Sequence, residues 1–253
     1  MDMEKTVIVA LAGKGGVGKT SLAAVIVKSL VEQHPGKKIL AIDADPAVGL
    51  SVALGITVNT TIDDVRKEAV KAAGEGKNAV VEVLGNAEYS IEEAIVEGPG
   101  FSFIAIGRPE AAGCYCRIND YLKDVIAAIA SYYDFIVIDG EAGVEQINRR
   151  VMEKVTHLIL VSDQSKKGRQ VVETIKSVAD ELVMYEKIGV IANRLSPEAM
   201  DAPLDFGSVP LLAKIPMDNQ LADYDLKGEN VFYLPDSSPI CVGAKEALAK
   251  LGI

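Results

Sequence analysis

The sequence predicts a single α/β domain built on a doubly wound, mostly parallel sheet, and three observations carry that reading. Short β-branched apolar runs recur along the chain, helix-length stretches separate them, and a glycine-rich turn follows the first run at Gly13 to Thr20. Alternation of this kind, with strands apolar along nearly their whole length, is the pattern of a parallel sheet covered on both faces.

The expected strands are residues 6–11, 38–42, 101–106, 135–138, 157–161 and 188–192, with Ile215-Pro216-Met217-Asp218 following a further one. Helices are expected over 20–33, 119–132, 167–185 and 242–250. No linker, internal repeat or low-complexity tract interrupts them, so residues 1–253 read as one domain. One stretch breaks the rhythm. From about residue 59 to 100, Gly74, Gly76, Gly85, Gly98 and Gly100 punctuate acidic and apolar pieces, which reads as an elaboration with its own helix and hairpin.

Composition narrows the function. A chain of 253 residues is long enough to bury about three quarters of its unfolded surface. The net charge of -10, from 36 acidic against 26 basic residues, works against the phosphate-neutralising surface that nucleic acid needs, so no DNA or RNA partner is expected. Met1-Asp2-Met3-Glu4-Lys5 lacks the basic start and apolar stretch of a secretion signal. No apolar run reaches the roughly 18 residues of a membrane span, and a cytoplasmic location is expected. Three cysteines do not make a disulfide framework; thiol chemistry in a reducing compartment is the better expectation.

Gly13-Lys14-Gly15-Gly16-Val17-Gly18-Lys19-Thr20 fits two patterns, because Gly13, Gly15 and Gly18 also spell a dinucleotide fingerprint. The dinucleotide reading needs no Lys-Thr pair. Here Lys19, Thr20 and Ser21 open the next helix, and the second strand ends in Asp43 and Asp45. That combination suits ATP with Mg²⁺: backbone N–H groups curl round the phosphates, Lys19 reaches the β and γ oxygens, and the Thr20 hydroxyl ligates the metal.

The extra lysine at the start of the loop, Lys14, makes it a deviant phosphate loop. The chain thereby resembles the family of dimeric ATPases that includes the septum-positioning and plasmid-partitioning ATPases, the nitrogenase iron protein and metallocentre assembly factors. The resemblance implies a phosphate-loop fold like theirs, ATP-dependent homodimerisation, and a Lys14 that crosses to the partner's nucleotide. It also implies that Asp43-Ala44-Asp45-Pro46 is a first switch, with Asp45 positioning the attacking water and Asp43 reaching Mg²⁺ through the metal's water shell. Phe135 to Asp139 is an apolar strand ending in an acid, which places Asp139 on Mg²⁺ through water. Gly140-Glu141-Ala142-Gly143-Val144-Glu145 resembles the second switch. Asn193, at another strand end, and Pro216 match the adenine-holding positions of relatives, and no N-K-x-D pattern ends a strand to favour GTP.

Gly113-Cys114-Tyr115-Cys116-Arg117 offers a soft metal two thiolates where such sites usually take four ligands. A two-fold dimer supplies the other two. With the loop, the Asp139 segment and this pair, the chain resembles the nickel-inserting ATPases of the carbon monoxide dehydrogenase accessory protein CooC family and the acetyl-CoA synthase maturation ATPases. The resemblance implies Ni²⁺ shared by Cys114 and Cys116 of both protomers and delivered to a nickel enzyme. Spacing alone does not separate nickel from zinc or iron. An iron-sulfur carrier like the nitrogenase iron protein is the first alternative, although its cluster cysteines come from separated segments. A membrane-cycling positioning ATPase is the second, although the 242–253 segment offers only Lys245 and Lys250 among mostly small and apolar residues.

Overall fold

The structure, a computed structural model, describes residues 6–45, 47–75, 85–107, 124–140 and 154–253. Among these, the strands β1 (Val7–Gly13), β2 (Ile39–Asp43), β3 (Val96–Gly98), β4 (Phe101–Ala105), β5 (Phe135–Asp139), β6 (His157–Ser162), β7 (Lys187–Leu195) and β8 (Leu211–Pro216) form one sheet. Their order is β3-β4-β2-β5-β1-β6-β7-β8. Every neighbouring pair is parallel except β3 and β4, which form a hairpin through Pro99 and Gly100. All six expected apolar runs are strands of this sheet.

The helices are α1 (Lys19–Gln33), α2 (Gly49–Leu54), α3 (Ile62–Glu75), α4 (Ala87–Ala94), α5 (Lys166–Leu182), α6 (Pro197–Asp201), α7 (Asn219–Lys227) and α8 (Pro239–Leu251), and residues 124–130 are helical too. Because strand side chains alternate between faces, the core divides in two. Ala10, Leu40, Ile104, Ile136, Leu158 and Val190 face one layer, made by α3, α4, residues 124–130 and α5. Val9, Leu11, Ala41, Phe103, Val137 and Ile191 face the other, made by α1, α2 and α8.

Three local differences from the sequence expectation have physical causes. Helix α5 stops at Leu182, not 185, because the buried Val183 turns extended and Met184 bridges to Lys154 on the way into β7. Ile215 and Pro216 do not follow a strand; they end β8, where Pro216 faces Leu195 across the last register position. Within the stretch expected as an elaboration, Ile62, Val65 and Ala69 of α3 and Ile91 of α4 are buried in the core against the sheet. The expected helix over 119–132 is helical at 124–130, and its start lies outside the described residues.

The chain leaves β1 for β2 on one side of the sheet, while β6 sits on its other side. Strand order thus reverses at β1, and the crevice beyond its carboxyl end is where a sheet of this type receives a ligand.

Candidate functional site

The loop from Gly13 to Gly18 occupies that crevice, between β1 and the first turn of α1. Gly13 lies so close to β6 that a Cβ would meet the Val161 carbonyl oxygen at 2.1 Å. Gly18 has φ +88°, and a Cβ there would meet Asn193 Nδ2 at 2.7 Å. Only glycine satisfies both positions. Gly15, Gly16, Gly18, Lys19, Thr20 and Ser21 line a cavity of about 410 Å³ together with Asp45 and Arg194.

The two lysines of the loop differ in setting. Lys19 is buried, with Nζ 3.3 Å from the carbonyl oxygens of Gly13 and Lys14. Lys14 donates to Asp163 Oδ2, just past the end of β6, at 2.7 Å, with both side chains partly open to solvent. Burial would raise the Asp163 carboxyl, but hydrogen bonds from Lys14 and Ser165 outweigh it and hold it below the usual carboxylate range.

Asp43 and Asp139 end adjacent strands and are register partners, both fully buried. Burial, then repulsion from Asp139, pushes the Asp43 carboxyl up to about 7, against hydrogen bonds from the N–H groups of Leu50 and Asp45. Those bonds, at 2.9 and 3.1 Å, tie Asp43 to α2 and to the switch segment. Burial likewise pushes Asp139 up to about 6, with the Thr20 hydroxyl and the Lys19 ammonium pulling it down in part. Neither Asp139 carboxylate oxygen has a hydrogen-bond partner among the described residues. A buried carboxylate left this way is costly unless a cation or a proton completes it. The position next to Thr20 suits a divalent ion.

Asp45 borders the cavity and folds onto its own turn, Oδ1 accepting the Ala47 N–H at 2.9 Å. Asn193 is buried and donates Nδ2 to the Val17 carbonyl at 2.8 Å. The next residue, Arg194, donates to the Gly16 carbonyl at 2.8 Å. Pro216 is half-buried at the end of β8. Pro46, the second-switch residues 141–145 and both Cys114 and Cys116 lie outside the described residues. Among the described residues no group of three or more His, Cys, Asp and Glu side chains is placed to hold a metal. Cys241 is a buried core thiol, as its apolar neighbours in α8 imply.

Two residues of the site had no role assigned from sequence, Asp163 and Arg194. Asp163 directly follows β6 and Arg194 is next to last in β7, so each is a polar side chain at the end of an apolar run, a signal like the one that marks Asp43 and Asp139.

Comparison with known proteins places this arrangement. The family described as AAA domain matches residues 5–188. An uncharacterized ATP-binding protein of Methanocaldococcus jannaschii is 35% identical over 249 residues, covering 96% of this chain and 98% of its own. The carbon monoxide dehydrogenase accessory protein CooC of Rhodospirillum rubrum is 26% identical over 257 residues, covering 95% and 94%. Among solved structures, the septum site-determining protein MinD of Pyrococcus horikoshii, complexed with Mg-ADP, superposes with a TM-score of 0.68 at 24% identity over 97% of this chain and 96% of that one. That likeness is one of fold.

Proposed function

The chain belongs to the AAA-domain family of P-loop ATPases related to the MinD and ParA proteins, and from that premise we propose an ATP-hydrolysing, nucleotide-gated homodimer that carries Ni²⁺ to a nickel enzyme. The observation that carries the ATPase reading is the division of labour between the lysines: Lys19 is folded into the loop, while the Lys14 ammonium reaches out of it to Asp163. A lysine so placed can serve a second protomer once that contact is exchanged.

In this reading the N–H groups of the loop and Lys19 hold the phosphates, and Asn193 with Pro216 borders the base. Thr20, Asp43 and Asp139 fit Mg²⁺, the last because its buried oxygens have no hydrogen-bond partner among the described residues. Mg²⁺ supplies charge neutralisation on the terminal phosphates. Asp45 orients the water that attacks the γ-phosphorus, and the bond to the bridging oxygen breaks to leave ADP and phosphate. Lys14 of each protomer reaches the nucleotide of the other, so that ATP favours the closed dimer through contacts absent in the open state.

Metal cargo is supported by the Cys114-Tyr115-Cys116 pair and by similarity along nearly the whole chain to CooC. Two such pairs related by a two-fold axis make four thiolates, a set that suits Ni²⁺ and also Zn²⁺. The recipient is a nickel metalloenzyme of the carbon monoxide dehydrogenase or acetyl-CoA synthase kind. The likeness to MinD raises a membrane-cycling positioning role instead, but the apolar face of α8 is occupied: Ile240, Ala244, Ala247, Leu248 and Leu251 are buried in the core.

Anaerobic native mass spectrometry with added Ni²⁺ tests the proposal. One metal per two chains is expected, lost in the Cys114→Ser, Cys116→Ser double variant. Metal binding unaffected by that variant would remove the chaperone reading and leave a dimerising ATPase.

A further inference from the structure

The pairing of β7 with β8 is irregular at two points, between Val190 and Ile191 and between Ala192 and Leu195, and the second borders the site. Ala192 faces Lys214 and Leu195 faces Pro216, so Asn193 and Arg194 together oppose Ile215 alone. The extra residue makes a bulge, a device that re-aims side chains at strand ends beside active sites. Arg194 also has φ +58°, in the left-handed region that a long side chain seldom enters. Local strain of this kind persists where surrounding contacts over-determine it.

Those contacts are with the phosphate loop. Arg194 Nη1 donates to the Gly16 carbonyl at 2.8 Å, and Asn193 Nδ2 donates to the Val17 carbonyl at 2.8 Å. Consecutive side chains therefore hold consecutive carbonyls. A Cβ on Gly18 would meet Asn193 Nδ2 at 2.7 Å and Arg194 Nε at 3.6 Å, so the missing side chain of Gly18 is what lets the clasp sit down. In a trans peptide the carbonyl and the following N–H point in opposite directions. With the Gly16 and Val17 carbonyls held by side chains of β7, the N–H groups of Val17 and Gly18 are turned to the opposite side of their peptide planes.

We propose that Arg194 is a positioning residue: from its strained bulge it locks the Gly16–Val17 peptide plane, beside the plane that Asn193 holds, so that the Val17 N–H is aimed at phosphate before nucleotide arrives. The inference rests on the reading of this loop as the phosphate site. Arg194 does not select the base; it acts on any ligand that carries a pyrophosphate.

Calorimetric titration of Arg194→Ala, Arg194→Gly and Arg194→Lys with Mg-ADP and with inorganic pyrophosphate tests this, alongside amide exchange of Val17 and Gly18 in the nucleotide-free protein. Losing one charge-assisted hydrogen bond predicts that Arg194→Ala weakens both ligands by a similar factor of about tenfold and speeds exchange at the Val17 amide more than at Gly18, whose preceding carbonyl Asn193 still holds. Arg194→Gly relieves the left-handed strain, so it raises the melting temperature while weakening both ligands, and Arg194→Lys restores part of the affinity. A loss confined to ADP, or unchanged affinity for both ligands in the alanine variant, overturns the positioning role. Failure of the wild type to bind either ligand overturns the phosphate-site reading itself, a different outcome from equal binding by wild type and variants.

Discussion

Lys14 Nζ lies 2.7 Å from Asp163 Oδ2, so the lysine proposed to reach a second protomer is held within its own chain. Both side chains are partly exposed, and a pair in that setting is worth about 1 kcal/mol or less. Dimerisation must break it. Asp163→Asn keeps the turn with Ser165 but removes the charge, and because two such pairs break per dimer it is expected to strengthen ATP-dependent dimerisation by a factor of up to about thirty. Sedimentation at graded protein concentration measures this. A weaker dimer in Asp163→Asn than in the wild type would show that Asp163 supports the closed state instead of restraining it.

Removing the buried charge of Asp139 should separate stability from function. Asp139→Asn is expected to raise the unfolding free energy of the nucleotide-free, Mg²⁺-free protein by on the order of 1–3 kcal/mol. The same variant should lose Mg²⁺-dependent ATP turnover by at least about a hundredfold. Denaturant titration and a phosphate-release assay read the two effects, and a destabilised Asp139→Asn would contradict the account of its unpartnered oxygens.

The paired carboxylates also fix a pH dependence. Asp43 is raised to about 7 and Asp139 to about 6, whereas in the unfolded chain such groups release their protons near pH 4. Between roughly pH 4 and 7 the folded state therefore binds more protons than the unfolded state, and stability of the metal-free protein falls as pH rises through that window. Mg²⁺ competes with those protons, so its affinity should rise over pH 6 to 7. His157 works in the other direction, since burial first and then Lys187 hold its ring below the usual value. Melting curves of wild type and Asp139→Asn, each with and without Mg-ADP, isolate the carboxylate part; parallel wild-type and variant profiles would count against it.

Far from the phosphates, Asp218 caps the first turn of α7 by accepting the Leu221 N–H, and its other oxygen accepts the Ile240 N–H and the Ser238 hydroxyl at the start of α8. Losing a buried carboxylate with three donors predicts a destabilisation of about 2–4 kcal/mol for Asp218→Ala. Affinity for Mg-ADP at low temperature should hold, because Asp218 does not border the cavity. Equilibrium unfolding and titration at 10 °C check the pair of expectations.

Legibility in the sequence followed contiguity. The phosphate loop is one unbroken segment, and it lies between β1 and α1 as the motif implies. The six buried strands were legible because strands covered on both faces are apolar throughout. Helix α2 has only 6 residues, too few for a period to show. Strand β3 has 3 residues and takes its identity from its hairpin partner. Contacts between distant segments were not legible: that Asp163 meets Lys14, or Arg194 meets Gly16, depends on β6 and β7 lying beside β1 in turn, which no local pattern encodes. The register match of Asp43 with Asp139 was hidden for the same reason, although each acid was visible alone.

The two margins of the sheet limit how copies of the chain can join. At one margin β3 offers only 3 residues before Pro99 reverses the chain. At the other, β8 is bracketed by Pro210 and Pro216, and Lys214 ties back to the carbonyls of Met200 and Ala202. Short or proline-bounded margins give a neighbouring chain little free backbone to extend. Edge-to-edge extension of the described sheet into an unbounded fibre is thereby disfavoured, which leaves the strand ends to the proposed nucleotide-gated pairing of two copies.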